Sequence, residues 1–272
     1  MNDVDTARLD TAVYLFGFVA ASDARDEAEA IGRDVMLVPD QDVALAASIV
    51  QARDYQPPAD GADASHRLEW VAPLAMRHHD VVQRLHAART VVPLKFGALC
   101  SDLDQAVSIV RRLHGPIAAL LKRFEGKDEW TLTVTANREA LTAALRHARP
   151  GLVRLEQDAA GMTAGAAYLA RKRFHQRLND LVAEECDGLE RRIWDRASVA
   201  GAEITAAPRA ESRTTAGEIT VARGALLVDR QRFTAIEQAL DDLEMEHGAL
   251  GLICEIRGPW PPYSFANTIE VS

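Results

Sequence analysis

Histidines, clustered carboxylates and thiols are the residues of this chain whose types could do chemistry. The eight histidines include the adjacent pair His78-His79, with His86 one heptad past His79. Two imidazoles on one helical face can share a metal ion. Neighbours on a helix point about 100° apart, so His78 and His79 do not readily join one site. No cysteine or carboxylate cluster completes a shell around them, so they read as structural or solvated and no metal is expected. Glu184-Glu185-Asp187 and Asp241-Asp242-Glu244 could pair carboxylates for acid–base work. Both lie on amphipathic stretches, where charge runs are ordinary solvated faces. Cys100, Cys186 and Cys254 are odd in number and far apart, so CxxC motifs are absent and three free thiols in a reducing compartment are expected. Cys100 would need a neighbouring base to act as a nucleophile. The dinucleotide, phosphate-loop, metalloprotease and nucleophile-elbow signatures are all missing, and Gly126-Lys127 runs into Asp128 rather than Ser or Thr. No catalytic residue and no cofactor is expected.

The most unusual segment is Gly258-Pro259-Trp260-Pro261-Pro262-Tyr263-Ser264-Phe265. Three prolines fix φ and remove three amide donors, and each residue before a proline is pushed towards extended geometry. The segment should therefore leave its sheet at Gly258 as a stiff, polyproline-like arm. It presents Trp260, Tyr263 and Phe265 on a backbone that is already ordered. Two readings stand: the rings form a low-entropy contact surface for a partner, or they fold back and seal the domain. Trp260 is the expected sealing anchor, with Tyr263 or Phe265 left for contact.

These residues must be positioned by a chain of 272 residues, 48% hydrophobic and 26% charged, which is a globular profile with length enough for two domains. Thirty-one basic against 40 acidic side chains give a net charge of −9. That balance speaks against gripping nucleic-acid phosphates or anionic membranes. Met1 to Asp10 lacks the basic start of a secretory signal, and the apolar run Thr11 to Ala21 is too short to span a bilayer.

Val13 to Val19 reads as a continuously buried strand. A short helix over Asp23 to Gly32 and two strands around a turn at Pro39 to Asp42 follow. Tyr55 to Asp63 is a loop. A helix over Leu68 to Leu85 should kink or restart at Pro73. Val91 to Phe96 reads as a strand at an edge, because Pro93 cannot donate to a ladder. The helix over Leu103 to Phe124 should be interrupted at Gly115-Pro116. The polar stretch Glu125 to Glu129 is taken as the domain boundary, giving domains 1–126 and 127–272. Trp130, Leu132, Val134 and Ala136 alternate with threonines, the pattern of a half-buried strand. A short helix over Arg138 to Ala148 precedes a long one over Ala164 to Ala197, with Phe174, Leu178, Val182, Cys186, Leu189 and Ile193 as its apolar stripe. Strands at Ala202 to Ala207 and Ala225 to Asp229 flank a segment, Pro208 to Gly217, that reads as mobile. A helix over Phe233 to Leu243 and a strand over Leu250 to Ile256 complete the chain. The second half thus has the order β, long α, β, β, α, β of a split βαβ, or ferredoxin-like, fold. The first half gives a similar order, with an extra helix after it.

Several of these segments resemble motifs of the gas vesicle protein F/L family. The ending Ile256 to Phe265 resembles its G-P-W-P-P-Y-x-F signature, in Gly258, Pro259, Trp260, Pro261, Pro262, Tyr263 and Phe265. Val13-Tyr14-Leu15-Phe16-Gly17 looks like its opening strand. Val92-Pro93-Leu94-Lys95-Phe96-Gly97 looks like its central motif, and His79-Asp80-Val81-Val82 like the H-x-x-V stretch before that. Gly165-Ala166-Ala167-Tyr168-Leu169 resembles its G-x-x-Y-L helix start. The motifs fall in family order over nearly the whole chain. One departure is Ala98-Leu99-Cys100, which replaces a small-polar, aliphatic, aromatic continuation.

The resemblance implies an α+β protein of two domains: an N-terminal α+β domain and a C-terminal domain of modified ferredoxin-like fold with a long helix. It implies a non-enzymatic accessory factor of gas vesicle assembly, cytoplasmic or on the gas vesicle. Its partners would be the small hydrophobic shell protein, gas vesicle protein A, and other accessory proteins. An assembly chaperone or nucleation factor is the first expectation. A minor component retained in the vesicle wall is the second, and an enzyme with a pocket between the domains the third.

Overall fold

The computed structural model describes residues 11–21, 31–32, 34–58, 63–149, 151–152, 154, 163–208, 217–266, 269 and 271. The expected helix over Asp23 to Gly32 and the expected mobile segment Pro208 to Gly217 fall mostly outside these residues. So does Met1 to Asp10.

The chain forms two compact units, one of residues 1–129 with 259–272 and one of residues 130–258. The expected division was 1–126 and 127–272. The difference at the C-terminus is that the last 14 residues cluster with the first unit.

Unit 1 is built on strands β1 (Thr11–Ala20), β2 (Met36–Asp40), β3 (Val43–Gln51), β4 (Val91–Pro93) and β5 (Leu99–Cys100), with helices α1 (Ala64–Ala88) and α2 (Leu103–Phe124). The sheet order is β2-β3-β1-β4, with β5 also on β1, and every pairing is antiparallel. Val13 to Val19 are all buried, as a continuous apolar run requires. Tyr14, Phe16 and Val19 cluster with Val81, Val82 and Leu85 of α1. Val13, Leu15 and Phe18 are buried outside that cluster, and α2 packs against β1, β2, β3 and β4. Leu15 opposes Ala47 while Gly17 opposes Ala46, so Phe16 is the extra residue of a β-bulge. Gly17 is dictated by close approach: a Cβ there would lie 2.8 Å from the Val92 carbonyl oxygen.

Neither helix restarts at its proline. Helix α1 runs unbroken through Pro73, and α2 through Gly115-Pro116. Both prolines are exposed, so water can reach the carbonyl that each leaves without an amide partner. Asp63 and Asp102 cap the two helices by accepting from the amides of His66 and Gln105.

Unit 2 is built on β6 (Lys127–Asn137), which begins in unit 1, then α3 (Arg138–Ala148), α4 (Ala164–Ala200), β7 (Glu203–Ala206), β8 (Glu218–Asp229), α5 (Phe233–Glu246) and β9 (Ile253–Trp260). Its sheet order is β7-β8-β6-β9. Numbered within the unit this is second, third, first, fourth, the split βαβ arrangement, and the four main strands of unit 1 have the same order. Leu132, Val134 and Ala136 of β6 join all six expected stripe residues of α4 in one core, together with Leu226 and Val228 of β8 and Ile236 and Leu240 of α5. Trp130 stacks on Phe233 with centroids 3.8 Å apart.

Several strand limits differ from expectation: β4 ends at Pro93 rather than Phe96, and β9 begins at Ile253 rather than Leu250. Strand β8 starts at Glu218 rather than Ala225. Strand β6 starts at Lys127, inside the stretch expected to be a loop. Strand β9 continues through Gly258-Pro259 to Trp260, so the arm leaves the sheet two residues later than expected. Strand β9 lies at the sheet edge, where a proline can occupy a position that donates no ladder bond.

Candidate functional site

The sequence singles out motif segments scattered along the chain. In unit 1 four of them meet. Between β4 and β5 the chain swings away from β1 over Leu94 to Ala98, pinned by Leu94 N–H to the Phe16 carbonyl and Leu15 N–H to the Ala98 carbonyl, each 2.9 Å. At its tip Gly97 takes φ +89°, a left-handed conformation that favours glycine. Phe96 beside it remains 38% exposed. Pro93 is buried as the last residue of edge strand β4.

Under this loop lies His78, 3% exposed. Its Nε2 is 3.1 Å from the Leu94 carbonyl oxygen, which can only accept, so Nε2 carries the proton. Its Nδ1, 2.9 Å from the Tyr14 hydroxyl, then accepts from it. The Tyr14 oxygen in turn accepts from Gly97 N–H at 3.1 Å. Every polar atom of the trio has a partner while the imidazole is neutral. Burial pushes the His78 pKa down to about 4 and that of Tyr14 up to about 12. Phe16, Phe96 and Tyr263 pack their rings around His78 at centroid distances of 5.8, 6.0 and 6.3 Å. Beyond them Arg77 lies over Phe16, pairs with Asp34 and donates to the Tyr55 hydroxyl.

The C-terminal arm enters here. Gln83 donates to the Pro259 carbonyl, and Trp260 lies half-buried against His79. Gly258 and Pro259 are exposed, whereas Pro261 and Pro262 are buried. Phe265 is 7% exposed, with the Arg123 guanidinium 5.9 Å from its ring centre. The Ser264 amide and hydroxyl both donate to the Glu129 carboxylate, each at 2.7 Å. Burial raises the pKa of Glu129, and the two Ser264 bonds only partly offset this. Burial also raises that of Tyr263. Beside this grip His86 Nε2 stands 2.8 Å from Asp128 Oδ1.

Of the three arm aromatics, then, Phe265 sits deepest, Tyr263 lines the seam, and Trp260 is the most peripheral. Sequence reasoning passed over Asp128 and Glu129 as a polar boundary, yet both are buried. Nothing local marks them; their partners come from α1 and from 135 residues downstream. A tyrosine in the middle of an apolar strand was the one available signal for the Tyr14–His78 pair, because its hydroxyl must find a partner.

The helix-start motif is elsewhere, in unit 2. Gly165 and Tyr168 lie on the first turns of α4, where Tyr168 is 67% and Leu169 55% exposed. Arg171, Lys172, Arg173 and Arg177 follow on the same exposed stretch. Nothing crowds Gly165. An open groove of about 610 Å³ beside α1 is lined by Arg53, Asp54, His66, Glu69, Trp70 and Pro73; it includes none of the motif residues. Among the described residues no group of three or more His, Cys, Asp or Glu is placed to hold a metal, and no helix is long and apolar enough to cross a membrane.

The fold defines an α+β protein whose two sheets share the split βαβ strand order, with its conspicuous motifs spent on a closed aromatic seam and an exposed helix start. The crystal structure of gas vesicle protein GvpF from Anabaena sp. PCC7120 has this fold: TM-score 0.70 at 14% identity, covering 94% of this chain and 98% of that one. GvpF from Microcystis aeruginosa gives 0.61 with the same coverages. In sequence the chain is 27% identical to gas vesicle protein L of Streptomyces sp. (strain CB03234) over 209 residues, 75% of this chain and 72% of that protein. It is 22% identical to gas vesicle protein F of the same strain over 192 residues, 71% and 76%. The family described as Gas vesicle synthesis protein GvpL/GvpF matches residues 12–267. The chain belongs to that family.

Proposed function

We propose that the protein is a non-enzymatic accessory factor that binds the small hydrophobic shell protein, gas vesicle protein A, and other accessory proteins during vesicle assembly. The family match over residues 12–267 carries this reading. The physics supports it. A wall protein that excludes water exposes apolar surface before it assembles and would aggregate alone. A partner with exposed aromatic and aliphatic side chains can cover that surface, and Tyr168, Leu169 and Phe96 are of this kind. The net charge of −9 keeps such a complex dispersed. It acts in the cytoplasm or on the forming vesicle, without a cofactor, nucleic acid or membrane.

Co-expression with the shell protein followed by affinity capture tests this, with an unrelated β-rich protein as control. Enrichment of shell protein over the control is expected. No enrichment across a range of salt and detergent, or a cofactor bound at unit stoichiometry, overturns it. A minor component held in the wall would instead remain with intact vesicles through salt and urea washes.

A further inference from the structure

The chain leaves unit 1 after Glu129, builds the whole of unit 2 from Trp130 to Gly258, and returns to unit 1 at Pro259. The outgoing and returning strands, β6 and β9, are hydrogen-bonded neighbours. A few residues after its return the chain binds the very residue from which it left, through the two Ser264 bonds to Glu129. Around that grip Pro261, Pro262, Phe265 and Ala266 are buried. Phe265 and Tyr263 complete the packing of Arg123 and His78.

We infer that the Pro259–Ala266 arm is a clasp that couples the folding of the two units through loop closure: unit 1 is complete only with the arm seated, and seating is easy only while unit 2 is folded. When unit 2 is unfolded, seating the arm must close a flexible loop of roughly 130 residues. Closure probability falls as about the 3/2 power of loop length, so the arm's docking constant drops on the order of 10³-fold. When unit 2 is folded, the β6–β9 ladder already holds the two ends of that loop together, and docking becomes a local event. Coupling of this kind is reciprocal, so a seated arm favours folded unit 2 by the same factor. It needs no surface shared between the units. The arm is also the last part of unit 1 to be synthesised, so that unit's core is finished only after all of unit 2 has been made.

Hydrogen exchange of the full-length protein in increasing urea, read by mass spectrometry, tests the clasp. Three sets of peptides report β1 around Val13 to Val19, the arm around Ser264 to Ala266, and unit 2 around Leu132 to Ala136 and Leu226 to Val228. A graded series of core substitutions in unit 2, Ile236→Val, Leu240→Ala and Leu226→Ala, brings unit 2 to open first. The expected result is that opening of unit 2 raises the arm's opening constant on the order of 10³-fold, with β1 losing protection alongside it. The mildest variant should already move the arm and unit 2 together. A variant with unit 2 open in which the arm keeps wild-type protection overturns the inference. So does an arm that exchanges freely in the native protein without urea.

Discussion

The two sheets of this protein have the same strand order and opposite relations to their surroundings. Strand β1 is central and buried on both faces, under α1 on one side and α2 on the other. Strand β6 is central too, but only one of its faces is fully covered; Thr131, Thr133 and Thr135 on the other are half-buried. The buried polar chemistry follows that difference. The core of unit 2 is one apolar cluster assembled from consecutive elements. Unit 1 encloses His78, His86, Asp128 and Glu129; His78 is hydrogen-bonded to Tyr14 and Glu129 to Ser264, both far away in the chain, and His86 stands against Asp128. A one-sided sheet can settle on a hydrophobic face alone. A sheet enclosed on both sides, with a final segment packed in afterwards, must also satisfy backbone and side-chain polar groups that water no longer reaches.

Truncations in the two strands give the largest test of that comparison. Phe18→Ala in β1, fully buried, should cost about 3–5 kcal/mol. Thr133→Ala in β6 should cost under about 1 kcal/mol. Urea melts of the two variants check this, and similar costs would mean that the strands are not differently enclosed. Within the arm, Phe265→Ala should cost about 3 kcal/mol, and Trp260→Ala, whose side chain is only partly buried, about 1 kcal/mol. The reverse order in thermal melts would restore Trp260 as the anchor.

Acid sharpens the contrast further. The folded His78 pKa of about 4 lies below its ordinary 6.5, so the fold favours the neutral ring. Stability from this group is whole above pH 6.5 and is lost as pH falls towards 4, by up to about 3 kcal/mol. Tyr14, His79, Tyr263 and the Leu94 carbonyl surround it, and none is an anion at that pH. Glu129 works in the opposite sense. Its raised pKa favours the protonated fold, so its contribution is present below the ordinary glutamate value and is lost as pH rises through the folded one. Protection of β1 measured at pH 7 and pH 4.5 should therefore fall in the wild type and fall less in His78→Phe. An equal fall in both would locate the acid sensitivity elsewhere. Smallest in stability, Tyr168→Ala with Leu169→Ala should change the melting free energy by less than about 0.5 kcal/mol each, while lowering capture of the shell protein about tenfold. Normal capture by the double variant would show that the exposed helix start is not a contact surface.

Much of this architecture was legible in the residues themselves. The unbroken run Val13 to Val19 announced a strand enclosed on both faces, and the Trp–Thr–Leu–Thr–Val–Thr–Ala alternation announced one enclosed on a single face. The α4 stripe from Phe174 to Ile193 faces the core because its spacing follows the helix period. Local rules failed where solvent intervened: Pro73 and Pro116 read as breaks but stand on exposed helix faces, where water can take over the lost hydrogen bond.

Sequence alone determined the types of most elements, the strand order that β, α, β, β, α, β implies for the second half, and the motifs that place the chain in its family, because periodicity and turn chemistry act over a few residues; the short strand β5 carries no such local signal. Only the tertiary structure decided that Glu129 receives Ser264, that His78 is the neutral partner of Tyr14, and that Phe265 rather than Trp260 lies deepest. Those outcomes depend on contacts spanning 64 residues or more, where burial and hydrogen-bond geometry, not local propensity, select the partner.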